Sequence, residues 1–512
     1  MKGARLGRRW LYAPPLLFLL LVALAPAARL LLESGARFSV LADAYLRWRL
    51  LWSLAQAAAT CALGTLVGVP IAWVLARTAF PGRGLVLRVL MLPFVMPTLV
   101  AGIGVLAVFG PHGLFGIDLQ DTPWLLLYGN LFYNLPLVIR GAHDGFAAVP
   151  ASRLAAARTL GASRFGAFVR VEWPAMLPSL ASSLCLVFLF CFSGFGLALL
   201  LGGMRYATVE VEIYSLVAYE LNLADASALA LTALCLCGVC VLAYAWLERR
   251  LAHPVVLDPL PPAPARGWRA RGALTLALAA LFFFGGLPLT AVALRAVLAG
   301  ASAWRVLLDA ETLAALGNTL RFTVMTLALA TALGVAHALA GRGRLWMRAA
   351  AFLPYVISPV CVAFGLLLLY PDLSASLGLL LAAYTLLAYP FVAKGIGAAL
   401  DQMPPALGSV ARTLGATPAH VLWRVTLPLL RPALRRAMAF AAASAAGEFA
   451  VTLFLSRPEW TTLTTLIYQR LGRPGAGNLD QALVLASLLM GFALLAFLLI
   501  EWPSRAVAAS GD

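Results

Sequence analysis

The sequence predicts an all-α membrane protein of about 12 transmembrane helices, arranged as two parallel six-helix repeats. Three observations carry this. Of 512 residues, 62% are hydrophobic and only 12% charged, with a mean hydropathy of +0.91, more apolar sequence than a soluble core needs. The hexapeptide ARTLGA occurs twice, at 157–162 and 411–416, about half a chain length apart, which marks a duplicated unit rather than a solenoid period. Apolar runs of about 20 residues, long enough to cross a bilayer, alternate with short basic segments.

Taken in order, Lys2, Arg5, Arg8 and Arg9 precede an apolar stretch over 11–32. Its ALAPAA segment imitates a signal-peptide cleavage site. Apolar residues continue past Arg29, however, and a retained span completes six in the first half. Further spans are expected near 51–76, 86–109, 123–142, 176–201 and 225–247, closing a first half over 1–247. The Pro-rich, charged segment 248–272 reads as a cytoplasmic linker unsuited to helix or sheet. The second half, 273–512, repeats the pattern with spans near 273–299, 316–340, 347–370, 376–396, 433–455 and 481–500. LPFVMPTLVAGIG in the third span recurs as LPYVISPVCVAFG, aligning Gly104 with Gly365.

Topology follows from the basic residues. With the N-terminus inside, most of the 38 Lys and Arg residues fall in cytoplasmic segments, as the positive-inside rule requires. Both termini and both ARTLGA segments are then cytoplasmic. Because six is even, the halves cross the membrane in the same direction. The net charge of +17 would suggest nucleic acid in a soluble chain; here it lies at loop positions, and no nucleic-acid partner is expected. The 7 cysteines fall in or beside apolar runs. Cys235, Cys237 and Cys240 on one apolar helix read as packing residues, and neither a metal site nor a disulfide framework is expected.

The duplicated segment extends well beyond the hexapeptide. Pro136, Gly141, Pro150, Arg170, Val171, Pro174 and Pro178 match Pro390, Gly395, Pro404, Arg424, Val425, Pro428 and Pro432, and Arg140 matches Lys394. In the first copy Arg153, Arg158, Arg164 and Arg170 interleave with Leu154, Leu160, Phe165 and Phe168, which describes two short amphipathic arms broken at Gly161, where a left-handed residue or a close approach is allowed. Arms of about ten residues are marginal helices alone in water and need a surface to dock on. Anionic headgroups of the membrane lipid would satisfy the charge, but headgroup binding requires neither the repeated glycines nor the repeated prolines. Docking to a cytoplasmic protein accounts for both.

No enzyme chemistry is legible. A phosphate-binding loop needs Gly-Lys-Ser/Thr, and the only lysines are Lys2 and Lys394, the latter followed by Gly395 and Ile396. No HExxH motif occurs among His112, His143, His253, His337 and His420.

Two small residues, three variable ones, a Gly, nine more residues, then a branched apolar residue followed by x-x-Pro occur as Ala156, Ala157, Gly161, Val171, Pro174, and again as Val410, Ala411, Gly415, Val425, Pro428. This pattern resembles the EAA loop of ATP-binding-cassette (ABC) importer permeases. Ala155 and Ser409 stand where that loop usually carries its acidic residue. The resemblance implies a type I permease fold and a bacterial inner-membrane location. It also implies a dimeric cytoplasmic ATPase as partner, which would carry the ATP and Mg, and a periplasmic substrate-binding protein. Ala156, Ala157, Arg158, Gly161, Pro174, Ala411, Arg412, Gly415 and Pro428 would be the ATPase-coupling residues. Two halves in one chain, with RVEWPAMLPSL, GEFAVTLFL and TTLTTLIYQ, resemble the permeases of thiamine (and thiamine diphosphate) importers; ferric-iron permeases share much of this wording.

Candidate pathway residues come from the late spans. Glu448 is an acidic residue deep in an apolar run, costly at mid-bilayer and expected to face the bundle interior. Its register partner is Gly194, and Phe449 pairs with Phe195. A translocation role with a cationic substrate and an interhelical hydrogen bond both fit Glu448. Asn130, Tyr133 and Asn134 precede Pro136, and Tyr384 and Tyr389 precede Pro390; they suit either a cavity lining or polar packing, with the prolines as kinks. Tyr214 and Tyr468 are expected on short outer stretches where a binding protein would dock, and Trp48, Trp52, Trp124 and Trp304 as interfacial anchors. A 12-span secondary transporter would show the same halves but would need coupling carboxylates in several spans and no repeated docking loop. A membrane scaffold would give the proline kinks no purpose.

Overall fold

The computed structural model describes residues 12–35, 42–251, 260–342, 344–374, 376–455 and 457–501. Lys2, Arg5, Arg8, Arg9, His253 and the middle of the linker lie outside these. Along the chain the main helices are α1 (Tyr12–Glu33), α2 (Ala44–Arg77), α3 (Arg83–Val95 with Thr98–Phe109), α4 (Pro123–Ala147), α5 (Ala151–Thr159), α6 (Arg164–Phe192), α7 (Val209–Ala218), α8 (Leu223–Leu251) and α9 (Trp268–Leu298). They continue with α10 (Ala310–Gly341), α11 (Trp346–Val356 with Pro359–Leu369), α12 (Leu377–Gln402), α13 (Pro405–Thr413), α14 (418–446), α15 (Leu463–Gly472) and α16 (Ala476–Glu501).

Among the described residues, 8 helices are long and apolar enough to cross a membrane, or 10 if each bent pair is one span. The other two expected spans coincide with α4, which carries Asn130 and Asn134, and α14, which carries Arg431, Arg435 and Arg436. Two spans expected as continuous are sharply bent, α3 by 102° and α11 by 92°. Both bends precede a proline: Met96 before Pro97 is extended (φ −66°, ψ 145°), and Ser358 before Pro359 likewise (φ −65°, ψ 156°). The ring disfavours the helical conformation in the residue before it. Pro136 and Pro390, expected as kinks, lie inside uninterrupted helices.

The packing bodies differ from the sequence repeats. One compact unit holds residues 37–300, the other 1–36 and 301–512. Thus α1 packs with the second repeat and α9 with the first. In the first unit a Cβ on Gly104 would lie 2.9 Å from the carbonyl oxygen of Pro288 on α9; in the second, a Cβ on Gly365 would lie 2.9 Å from Cβ of Pro26 on α1. Only glycine admits so close a helix approach. Each proline also disturbs its own helix. Lacking an N–H, it follows a π turn, Leu20–Leu24 in α1 and Phe282–Gly286 in α9. The carbonyl five residues before the proline then accepts a tyrosine hydroxyl, Tyr370 to Leu21 (3.1 Å) and Tyr128 to Phe283 (2.7 Å).

Within each unit the second and fourth spans of a repeat pack through glycine. Gly68 of α2 meets Val138 of α4, and Gly334 of α10 meets Val392 of α12. Buried clusters lie among α3, α4 and residues 196–201 in one unit (Ala101, Val105, Leu126, Phe132 and Leu201), and among α10, α12 and α14 in the other (Ala330, Val392, Ile396 and Ala441). The described ends of the linker are more regular than its composition suggests. Helix α8 runs to Leu251, α9 starts at Trp268, and Ala263–Pro264 pair in parallel with Thr78–Ala79 directly after α2.

Candidate functional site

Each duplicated loop is built by the same backbone hydrogen bonds. In the first, α5 ends as Leu160 N–H donates to Ala156 O (3.1 Å), Gly161 N–H to Arg158 O (3.0 Å) and Ala162 N–H to Ala157 O (3.0 Å). In the second, α13 ends as Leu414, Gly415 and Ala416 donate to Val410, Arg412 and Ala411 at 3.1, 3.0 and 3.0 Å. The terminal carbonyls are satisfied because the glycines turn left-handed, Gly161 at φ +83° and Gly415 at φ +85°. A hydroxyl then starts the next helix: Ser163 Oγ accepts from Gly166 N–H (3.0 Å), Thr417 Oγ1 from His420 N–H (3.2 Å). π turns follow at Phe168–Glu172 and Leu422–Thr426, just before Pro174 and Pro428, whose missing N–H breaks the regular ladder.

The loops expose apolar side chains at their tips. Leu160 is 87% exposed and Leu414 83%; Phe165 and Trp423 are also exposed, while Leu154 is buried. With Arg158 and Arg412 exposed beside them, each loop presents a mixed apolar and basic face.

The second repeated feature replaces a continuous helix. The expected spans 176–201 and 433–455 are both interrupted, at 193–195 and 447–449, and resume as short helices Gly196–Leu201 and Ala450–Leu455. Gly194 and Glu448 sit at these breaks. A Cβ on Gly194 would lie 2.8 Å from Phe190 O. Glu448 is half-buried, and its Oε1 accepts from Val451 N–H (3.0 Å), so the carboxylate caps the short helix that follows. Phe195 stacks edge-on against Tyr214 (5.6 Å), and Phe449 lies against Tyr468 (5.2 Å). The two tyrosines therefore pack inward on the breaks rather than standing free on the outer stretches. Helices α7 and α15, which carry them, are fixed alike: Val209 N–H donates to Ser53 Oγ (2.8 Å), and Leu463 N–H to Thr319 Oγ1 (2.9 Å).

Around this shared frame the polar groups differ. In the first repeat Asn130 donates to Gln56 Oε1 (2.7 Å), Gln56 to Cys191 O (2.8 Å), and buried Asn134 to Asn130 O (3.1 Å). These residues and Thr208 line a cavity of about 40 Å³ beside the Gly194 break. In the second repeat Tyr384 hydrogen-bonds Thr452, and Thr464 Oγ1 donates to Glu448 O (2.9 Å). Tyr389 is placed elsewhere, with its hydroxyl on His337 Nδ1 and its ring beside Phe18. Trp52, half-buried, donates to Tyr206 O (2.8 Å). Glu448 is also not alone among carboxylates: Glu172, Glu210 and Glu212 are buried, and Glu172 and Glu212 pair with Arg77 and Arg49. Gln56, Ser53, Thr319, Thr208 and Thr464 were not singled out from sequence, although the repeat register aligns Val209 with Leu463 and so pointed to their neighbourhood.

The model of the binding-protein-dependent transport system inner membrane component family matches this sequence twice, over residues 68–253 and 327–507. The chain belongs to this family. Among curated relatives, the permease is 30% identical over 459 residues to the thiamine transport system permease protein ThiP of Brucella abortus (strain 2308), covering 84% of this chain and 83% of that one. It is 27% identical to ThiP of Escherichia coli K12, covering 95% of this chain and 96% of that one. It is 35% identical over 177 residues to the molybdate/tungstate permease WtpB of Thermococcus kodakarensis, covering 34% and 69%. It is a multi-pass inner-membrane transport permease whose two family domains lie in one chain, and each domain holds one duplicated loop, one bent helix and one late helix break.

Proposed function

We propose that this permease is the transmembrane subunit of an ATP-driven importer that takes up thiamine or thiamine diphosphate from a periplasmic binding protein by alternating access. The observation that carries the ATP-driven reading is the pair of loops with the same left-handed glycine turn and the same exposed apolar tip. Loops of that build suit two identical partner surfaces, as a cytoplasmic ATPase dimer provides, with ATP and Mg bound on the ATPase. Closure of the dimer would draw on α5 and α13 and, through the helices bearing Pro174 and Pro428, move the breaks at Gly194 and Glu448. Thiamine follows from the relatives' names and from the extent of the match. Phe195, Phe449, Asn134 and Glu448 are the residues proposed to meet the solute, and Tyr389, buried on His337, supports that repeat from within.

The test is uptake of labelled thiamine into proteoliposomes holding the chain with its ATPase, with and without binding protein, beside a Gly161→Trp plus Gly415→Trp variant. Uptake should require ATP and the binding protein and collapse in the variant. ATP-dependent uptake of ferric iron but not thiamine would replace the solute and keep the architecture. Uptake driven by an ion gradient without an ATPase would overturn the reading.

A further inference from the structure

The two loops share their backbone but not their attachment to the membrane helices. Glu172 closes the π turn of the first loop and is 5% exposed. Its Oε1 accepts from Arg77 Nη2 (2.7 Å) and Nε (2.9 Å), and its Oε2 from Trp73 Nε1 (2.9 Å). Arg77 ends α2 and also donates from Nη2 to Phe146 O (3.2 Å) at the end of α4. One guanidinium thus joins the loop to two membrane helices. The ring of Phe168 lies against Trp73 (6.3 Å), Phe146 (6.2 Å) and Trp173 (6.2 Å).

The second loop lacks this chemistry position by position. The register of α2 on α10 is set by the repeated contacts of Gly68 and Gly334, and of Ser53 and Thr319. In that register Thr426 replaces Glu172, while Leu339, Leu400, Leu422 and Leu427 replace Trp73, Phe146, Phe168 and Trp173. The residue aligned with Arg77 is Gly343, which lies outside the described residues. By sequence register, the positions that hold the charged and aromatic cluster in the first repeat carry Thr, Gly and four Leu in the second.

A buried ion pair adds little net stability, because desolvation offsets its attraction, but it holds one geometry and penalises any other. Aliphatic side chains carry no such directional demand. We infer that Arg77 and Glu172 are positioning residues that clamp the first coupling loop to α2 and α4, so that ATPase closure is transmitted mainly through the first repeat while the second loop yields. The inference rests on the proposed docking of an ATPase to these loops and adds that the two docking sites are mechanically unequal.

The experiment uses the full chain with its ATPase and binding protein in proteoliposomes, measuring solute uptake and ATP hydrolysis in the same sample. Glu172→Gln, which keeps the volume and removes the charge, should lower the solute moved per ATP about tenfold while leaving basal hydrolysis unchanged. Glu172→Asp should recover part of the loss, and Thr426→Val in the second loop should change the ratio less than about twofold. A second readout needs no transport: spin labels at Pro81 and Thr159, in a chain without its native cysteines, should give a narrow distance distribution that broadens with Glu172→Gln. An unchanged ratio in Glu172→Gln, or an equal fall in Thr426→Val, would overturn the inference. Failure of the chain to engage any ATPase would remove the proposed function instead. In that case the label distances still decide the clamp, since an unbroadened distribution in Glu172→Gln rules it out.

Discussion

At the scale of single residues, Glu448 shows how one position serves two demands. A carboxylate at a helix break inside an apolar segment is expensive, yet its Oε1 satisfies Val451 N–H, one of the donors that every helix start leaves open. Gly194, its counterpart, meets the break differently, by having no Cβ to strike Phe190 O. Glu448→Ala should therefore cost about 1 kcal/mol through loss of the cap, read as a lower thermal midpoint by tryptophan fluorescence in detergent. Glu448→Gln retains an acceptor and should hold the midpoint near wild type. If both variants fall equally, the charge rather than the cap supports the break. Glu448 stood out in the sequence because a lone acid among apolar residues is conspicuous. Its capping role did not, since nothing local in AAGEFAVTLFL announces that the helix stops at Gly447.

At the scale of elements, duplication made much of the site legible in advance. The turn at Gly161 and Gly415 was anticipated from glycine alone. The helix breaks and the bends in α3 and α11 were missed, because hydropathy reports how apolar a segment is and not whether its backbone is continuous. What holds α7 and α15 in place was equally hidden: a hydroxyl on a distant helix receives the first N–H of each. Ser53→Ala or Thr319→Ala leaves a buried amide unpaired, at about 1–3 kcal/mol. Each variant should raise amide hydrogen exchange in its own short helix, 209–218 or 463–472, and leave the other unchanged. Uniform exchange across both helices would show that these hydroxyls are dispensable.

At the scale of the molecule, the exchange of first helices alters what counts as half of this protein. Repeat boundaries near 247 and 273 follow the duplication, but Pro26 packs on Gly365 and Pro288 on Gly104. Removing residues 1–36 should therefore expose the body formed by 301–512 to limited proteolysis and spare that formed by 37–300. New cleavage confined to 37–300 would contradict the exchange. The physical basis is reciprocal: each glycine offers a flat surface, and each proline leaves a carbonyl that a tyrosine from the same body can reach.

The sequence by itself determined the all-α membrane class and the duplication that the family model matches twice. Each of these is encoded locally, in apolar run length, in the distribution of arginine, and in a phrase spoken twice. Only the tertiary structure decided which body each first helix joins, where the late spans break, and that Arg77 ties Glu172 of the first loop to α2 and α4. Those outcomes depend on side chains far apart in the chain, such as Arg77 with Glu172 or Pro26 with Gly365. Their energies come from packing and desolvation at contacts that exist only once the helices have assembled.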